Sequence, residues 1–169
     1  MIFVSLIALL LQSGSRVIEP PLATTSEVIA GLDECIGFFR KPASAKNRWL
    51  SSGWIDETND PAVQPELRGK DEAGIVSKGG LALLFASAKE AAAAKQSVKS
   101  NTCILTMRPA AETAEVLRSI ASKYGYKQVS ASKAETVLFL APDFQIMIER
   151  PKADPTALRA TVANFRGNN

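Results

Sequence analysis

Two short stretches of this chain alternate in polarity with a period of two. In Thr102–Met107, Cys103, Leu105 and Met107 fall on one side, and Thr102, Ile104 and Thr106 on the other. In Phe144–Glu149, Phe144, Ile146 and Ile148 oppose Gln145, Met147 and Glu149. Successive side chains of a strand point to opposite faces, so each stretch reads as a strand with one face turned to the core. The pattern argues an antiparallel sheet with one wetter face. Such a sheet must bury its apolar face against another layer, and the chain offers helices for that purpose.

The first expected helix follows Thr24-Thr25-Ser26, which offers N-cap residues; Val28, Ile29, Leu32, Cys35, Ile36 and Phe39 then recur at helical spacing. It should end near Arg40, because Pro42 cannot continue it. A shorter helix is expected over Ala43–Ser52, with Gly53 as its stop. Ala111–Tyr124 carries the clearest apolar stripe, with Val116, Leu117, Ile120 and Tyr124 on one side and Gly125 placed to end the helix. Ala88–Ser97 is rich in Ala and Lys, favours helix by propensity and has no apolar stripe, which suits an exposed helix bridging two strands. Asp154-Pro155, followed by Leu158, Val162 and Phe165, predicts a last helix.

Further strands are expected at Ala73–Ser77 and Leu81–Ala86, joined by a Lys78-Gly79-Gly80 turn, near Lys127–Ala131, and at Val137–Ala141. Pro142-Asp143 is the expected turn into Phe144–Glu149. Residues 56–71 are polar, contain Pro61 and Pro65, and read as a long loop. Hairpins and helices come in blocks rather than in regular alternation. The expected fold is therefore α+β: an antiparallel sheet of about five strands with helices packed on one face, in two layers.

Ahead of this domain lies an apolar run, Ile2–Leu11, broken only by Ser5 and followed by the small residues Ser13-Gly14-Ser15; the first charged residue is Arg16. That is the layout of a secretory signal peptide, although the region before the run has no Lys or Arg. A bilayer-spanning helix takes about 20 apolar residues, more than this run supplies. The expected organisation is a signal peptide over 1–15, an extended leader over 16–23 containing Glu19-Pro20-Pro21, and one domain over 24–169. The expected location is periplasmic or secreted. The alternatives are an uncleaved anchor and a cytosolic element.

Cys35 and Cys103 are the only cysteines. Cys35 lies on the apolar side of the first helix and Cys103 on the apolar side of its strand. Both sulfurs then point inward, and an oxidising compartment would join them. Bridging them would close a loop of about 70 residues and stabilise the fold by roughly 4 kcal/mol on a chain-entropy argument.

The chain has no histidine. This excludes Ser-His-Asp and Cys-His catalysis and His-ligated metals. Lys and Arg number 20 against 17 Asp and Glu, a net charge of +3, and the two signs are interspersed rather than gathered in a stripe. No nucleic-acid partner is expected.

Asp56, Glu57, Asn59 and Asp60 crowd together oxygen ligands of the kind hard cations take. They lack the alternate spacing and central Gly of an EF-hand loop, and we read them as a turn-forming loop. Lys78-Gly79-Gly80 has no P-loop spacing. Ser130-Ala131-Ser132-Lys133 has the literal Ser-x-x-Lys spacing but falls between expected strands rather than on a helix. Trp49 and Trp54 bracket Gly53. They are either core anchors or an aromatic pair for a partner, and they are the chain's candidate interaction residues.

No cofactor or metal is implied by these residues. The functional expectation is a non-catalytic binding or interaction module with a protein or small-molecule partner. A membrane contact is expected only if the apolar N-terminus is retained, which would make the chain a tethered accessory subunit. The enzymatic alternative is a small hydrolase that uses carboxylate or Ser-Lys chemistry.

Overall fold

The computed structural model describes residues 21–60, 68–93, 101–125, 127–130, 137–140 and 144–164. The stretches with alternating polarity are strands, as expected. β4 is Thr102–Met107 and β7 is Phe144–Glu149, and in both every second residue is buried. They belong to one antiparallel sheet whose order is β1-β2-β3-β4-β8-β7-β6-β5. Its other members are β1 (Ile55–Asp56), β2 (Ala73–Lys78), β3 (Leu81–Ala86), β5 (Lys127–Ser130), β6 (Val137–Leu140) and β8 (Leu158–Asn164). The described helices are α1 (Thr25–Arg40), α2 (Pro42–Ser51), α3 (Ala88–Ala93) and α4 (Thr113–Tyr124). The fold is α+β.

The sheet has eight strands rather than about five. One addition is β1, a two-residue strand inside the expected loop, where Asp56 pairs with Val76 of β2. The larger correction is β8, expected as a helix. Leu158, Ala160 and Val162 are buried in alternation, and β8 runs between β4 and β7, pairing Leu105 with Ala160 and Ile146 with Val162. It closes the centre of the sheet. Asp154 forms a turn before it, accepting the backbone N–H of Thr156 at 3.0 Å.

Thr24 caps α1. Its hydroxyl accepts the Glu27 backbone N–H at 3.3 Å, and its own N–H donates to the Glu27 carboxylate at 2.7 Å. This reciprocal pair satisfies two donors that a helix start leaves open. The Thr24 N–H and, at 2.8 Å, the Thr24 hydroxyl both donate to the Glu27 carboxylate and lower its pKa. At the other end Pro42 opens α2, so one residue, Lys41, separates the two helices. α4 ends on Gly125 at φ +63°, the left-handed conformation that glycine adopts without strain.

α1 crosses the middle of the sheet. A Cβ at Gly31 would stand 3.1 Å from the Leu105 methyls, so the helix backbone lies directly on β4. Val28, Leu32, Cys35 and Phe38 of α1 are fully buried with Leu83, Phe85 and Leu105 of the sheet. α4 lies beside α1 and adds Val116 and Ile120 to the core that holds Ile146 and Ile148. The Phe39 ring of α1 meets Phe144 of β7 at 5.7 Å between centroids. A hydroxyl clip also links the two helices: Tyr124 donates to the Asp33 carboxylate at 2.8 Å.

Residues 21–23 of the expected leader are tied into the domain. The Ala23 N–H donates to the Arg108 carbonyl at 2.7 Å, Ala110 N–H donates to the Ala23 carbonyl at 2.8 Å, and Ala23 is fully buried. The expected signal peptide over 1–15 and the Pro142-Asp143 turn lie outside the described residues.

Candidate functional site

The two cysteines form the expected disulfide. Cys35 on α1 and Cys103 on β4 are bonded, with their Cα atoms 5.5 Å apart. Both are fully buried, and the bond ties the crossing helix to a central strand. A sulfur that no thiolate can reach does not exchange unless the structure opens. This is a brace, not a redox centre.

Trp49 and Trp54 are not offered to a partner. Trp49 is fully buried and Trp54 is 6% exposed. Trp49 stacks edge-on against Phe85 with centroids 4.7 Å apart, and its indole N–H donates to the Glu34 carboxylate at 2.7 Å. A buried indole needs such an acceptor. The aromatic pair anchors α2 to the sheet, the core role that the sequence also allowed.

The oxygen-rich cluster is a turn held by its own neighbours. Asp56 accepts the Thr58 backbone N–H at 2.9 Å and pairs with the Lys46 ammonium at 2.9 Å. Burial pulls the Asp56 pKa upward, but hydrogen bonds from Thr58 and Lys46 outweigh it and hold the carboxyl below its usual range. Glu57 accepts the Ser77 hydroxyl at 2.7 Å. Among the described residues no group of His, Cys, Asp or Glu is arranged to hold a metal ion. Lys78 ends β2, and Gly79-Gly80 make the turn into β3. Ser130 ends β5, whereas Ser132 and Lys133 lie outside the described residues.

Two ion pairs stand at the start of β8, in the middle of the sheet. Arg108 bonds Asp154, and Arg159 bonds Glu149 across β8 and β7. Burial raises the Asp154 pKa, but hydrogen bonds from Thr156 and Arg108 bring it below the usual value. On α4, a surface groove of about 420 Å³ is bordered by Glu115, Arg118, Ser119, Ser122 and Lys123. Its lining mixes both charges, and Lys123 is bound to Asp33 at 3.2 Å.

What remains is the face of the sheet opposite α1, α2 and α4. The register lines up its residues in rows. One row runs Leu84, Ile104, Thr161 and Met147 across β3, β4, β8 and β7; the next runs Ala86, Thr102, Ala163 and Gln145. All eight are half-buried. Charge on these four strands' outer face is confined to Arg159 and Glu149, which neutralise each other. At the β2 end, Ala73 and Ile75 are buried in a separate small cluster with Leu84 and Ala86. Sequence reasoning took this side as merely the wetter one. The signal against that was present in Ile104 and Met147, large apolar residues on the polar side of each alternating strand.

No protein-family model, curated protein or solved structure matches this chain. Among the described residues no helix is long and apolar enough to cross a membrane.

Proposed function

We propose that this chain is an exported, non-catalytic interaction domain of the periplasm or the extracellular space. The observation that carries the interaction reading is the outer face of β3, β4, β8 and β7, half-buried and almost free of net charge. Solvated faces of antiparallel sheets are ordinarily polar, and interface cores are depleted in Lys, Glu and Asp. Export is supported by the apolar run before Ser13-Gly14-Ser15 and by the Cys35–Cys103 disulfide, a bond that persists in oxidising compartments. The paired states of Asp56, Asp154, Glu149 and Arg108 suit a scaffold better than an acid-base centre.

Two measurements test this. Intact mass of the chain from an exporting host should give a mature N-terminus near Arg16; full-length cytosolic protein would overturn export, and full-length membrane-bound protein would mean a tethered subunit instead. A photo-activatable cross-linker at Thr161 should form a defined adduct, identified by mass, that the same group at the exposed Ser44 of α2 does not. Equal labelling at both positions would overturn the interaction reading.

A further inference from the structure

We propose that one end of the domain, around the β2–β3 turn, rests on the surface of a bilayer that contains anionic lipid. This surface is separate from the outer face of the sheet and goes beyond the interaction reading. It rests on the export reading only in that export brings the chain to a membrane.

Among the described residues three large apolar side chains are exposed: Leu22 at 61%, Ile55 at 62% and Leu50 at 38%. Scattered singly, such residues need no explanation. These three gather at one turn. A Cβ on Gly80 would stand 2.9 Å from the Leu22 carbonyl carbon, so the Leu22 backbone lies on the turn itself. Ile55 stands opposite Ser77, the residue before Lys78. Leu50 lies in the last turn of α2, and its carbonyl accepts the Gly53 N–H at 3.2 Å. Ser52, between those two, is tied to the β2–β3 turn by the Lys78 ammonium, which donates to its carbonyl at 2.7 Å.

Charge at this end suits an anionic surface. Lys78 is exposed on the turn, and Lys152 is exposed just ahead of Asp154. The acids close by are occupied. Arg108, whose N–H donates to the Gly80 carbonyl, bonds Asp154, and Glu27 is held by the Thr24 cap. A lysine stem lies along apolar surface while its ammonium reaches outward, here to lipid phosphate. Aliphatic side chains and cations acting together are what hold a peripheral protein to a lipid interface.

The chain leading to this end names the occupant. Ala23 is fixed in the domain through both its backbone groups, and residues 21–23 pass over Gly80. The route back to the apolar run Ile2–Leu11 therefore leaves from this end. Leu11 and Pro21 are ten residues apart and span at most about 36 Å. While the run is held in a bilayer, during export or permanently if it is uncleaved, this is the end turned to the lipid. The exposed aliphatic side chains thus stand where the tether delivers them. The far end of β2 is preceded instead by the exposed Asp71.

The test uses protein from an exporting host, in the form that host makes, and vesicles of phosphatidylcholine with and without phosphatidylglycerol. An environment-sensitive fluorophore on Ile55→Cys should shift to the blue with the anionic vesicles, and the same fluorophore on Asp71→Cys should not. That readout holds whether or not the apolar run is retained. On protein processed near Arg16, Leu22→Asp and Ile55→Asp should each weaken partitioning about tenfold or more. Lys78→Gln should weaken it about fivefold, and added salt should weaken the wild type. Leu22 and Ile55 are exposed, so these variants keep the fold. Four results would overturn the contact: no shift at position 55 on either vesicle, which would leave these side chains to a protein partner; an equal shift at position 71; equal response to vesicles lacking phosphatidylglycerol; or processed protein that partitions indifferently to both aspartate variants. None of these bears on the mature N-terminus or on cross-linking at Thr161, which decide the export and interaction readings separately.

Discussion

The hydroxyl of Thr58 holds both backbone polar groups of Ile75. It accepts the Ile75 N–H at 3.0 Å and donates to the Ile75 carbonyl at 3.2 Å. β1 pairs only Ile55 and Asp56 with β2; just beyond it the Glu57 N–H donates to the Ile75 carbonyl at 2.9 Å, which leaves the Ile75 N–H to Thr58. Thr58, fully buried, acts in place of a longer strand. Gly74 makes room for it, because a Cβ there would stand 2.3 Å from the Thr58 hydroxyl oxygen. Edge strands left open invite pairing with other chains, and at Ile75 this edge is closed by the Thr58 hydroxyl together with the Glu57 N–H.

Thr58→Val keeps the shape and deletes the hydroxyl. The buried Ile75 N–H then loses its acceptor, and urea denaturation should report a loss of about 1–3 kcal/mol. Thr58→Ser retains the hydroxyl and should lose clearly less. Equal losses would mean that the methyl group, not the hydrogen bonds, secures the edge.

The Cys35–Cys103 bond closes a segment with a sequence separation of 68. Non-reducing peptide mapping of exported protein should find the linked pair. Replacing both cysteines by alanine should lower unfolding free energy by about 4 kcal/mol, chiefly by freeing the unfolded chain. Freely alkylated thiols in natively exported protein would refute the link. A loss below about 1 kcal/mol would mean that the unfolded chain is already compact.

The disulfide was legible because two periodicities agree: the helix repeat turns Cys35 inward with Leu32, and the strand repeat turns Cys103 inward with Leu105. The start of α1 was legible in Thr24, one of the expected N-cap residues; that Glu27 supplies the other half of the cap emerges only from the structure. β8 was not. Leu158, Val162 and Phe165 satisfy helical spacing, Ala160 signals neither state, and Asp154-Pro155 opens helices as readily as turns. Packing settles the ambiguity, because the place between β4 and β7 rewards Leu158, Ala160 and Val162 on one side. The outer face was hidden for the same reason: its rows exist only when β8 stands between β4 and β7. Trp49 and Trp54 could be read either way until the sheet behind them was known.

Stability should be nearly flat around neutrality. The chain lacks histidine, so only its amino terminus and strongly shifted groups titrate there. Asp56 and Asp154 are both held below the usual carboxylate pKa, after their hydrogen bonds to Thr58 and Lys46, and to Thr156 and Arg108, overcome the cost of burial. A carboxyl with a lowered folded pKa stabilises the fold above its unfolded value of about 3.9 and loses that contribution as pH falls toward the folded value. Denaturant melts should therefore change little from about pH 6 to 8 and weaken below about pH 4. Asp56→Asn should shallow the acid limb. A steep change near pH 7 would reveal a buried group with a strongly perturbed pKa and revive the enzymatic reading.

The two sides of β7 give the sharpest separation of core from outer face. Ile146 is fully buried and belongs to the core that includes Val116 and Ile120 of α4; in the backbone register it stands opposite residue 139 of β6 and Val162 of β8. Gln145, its neighbour, is half-buried on the opposite side. Ile146→Ala removes packed methylene and methyl groups and leaves a cavity, which should cost about 2–5 kcal/mol. Gln145→Ala should stay within about 0.5 kcal/mol. Equal losses at both positions would mean that β7 is fully buried on each side by its own chain, and the outer face would then be no surface at all.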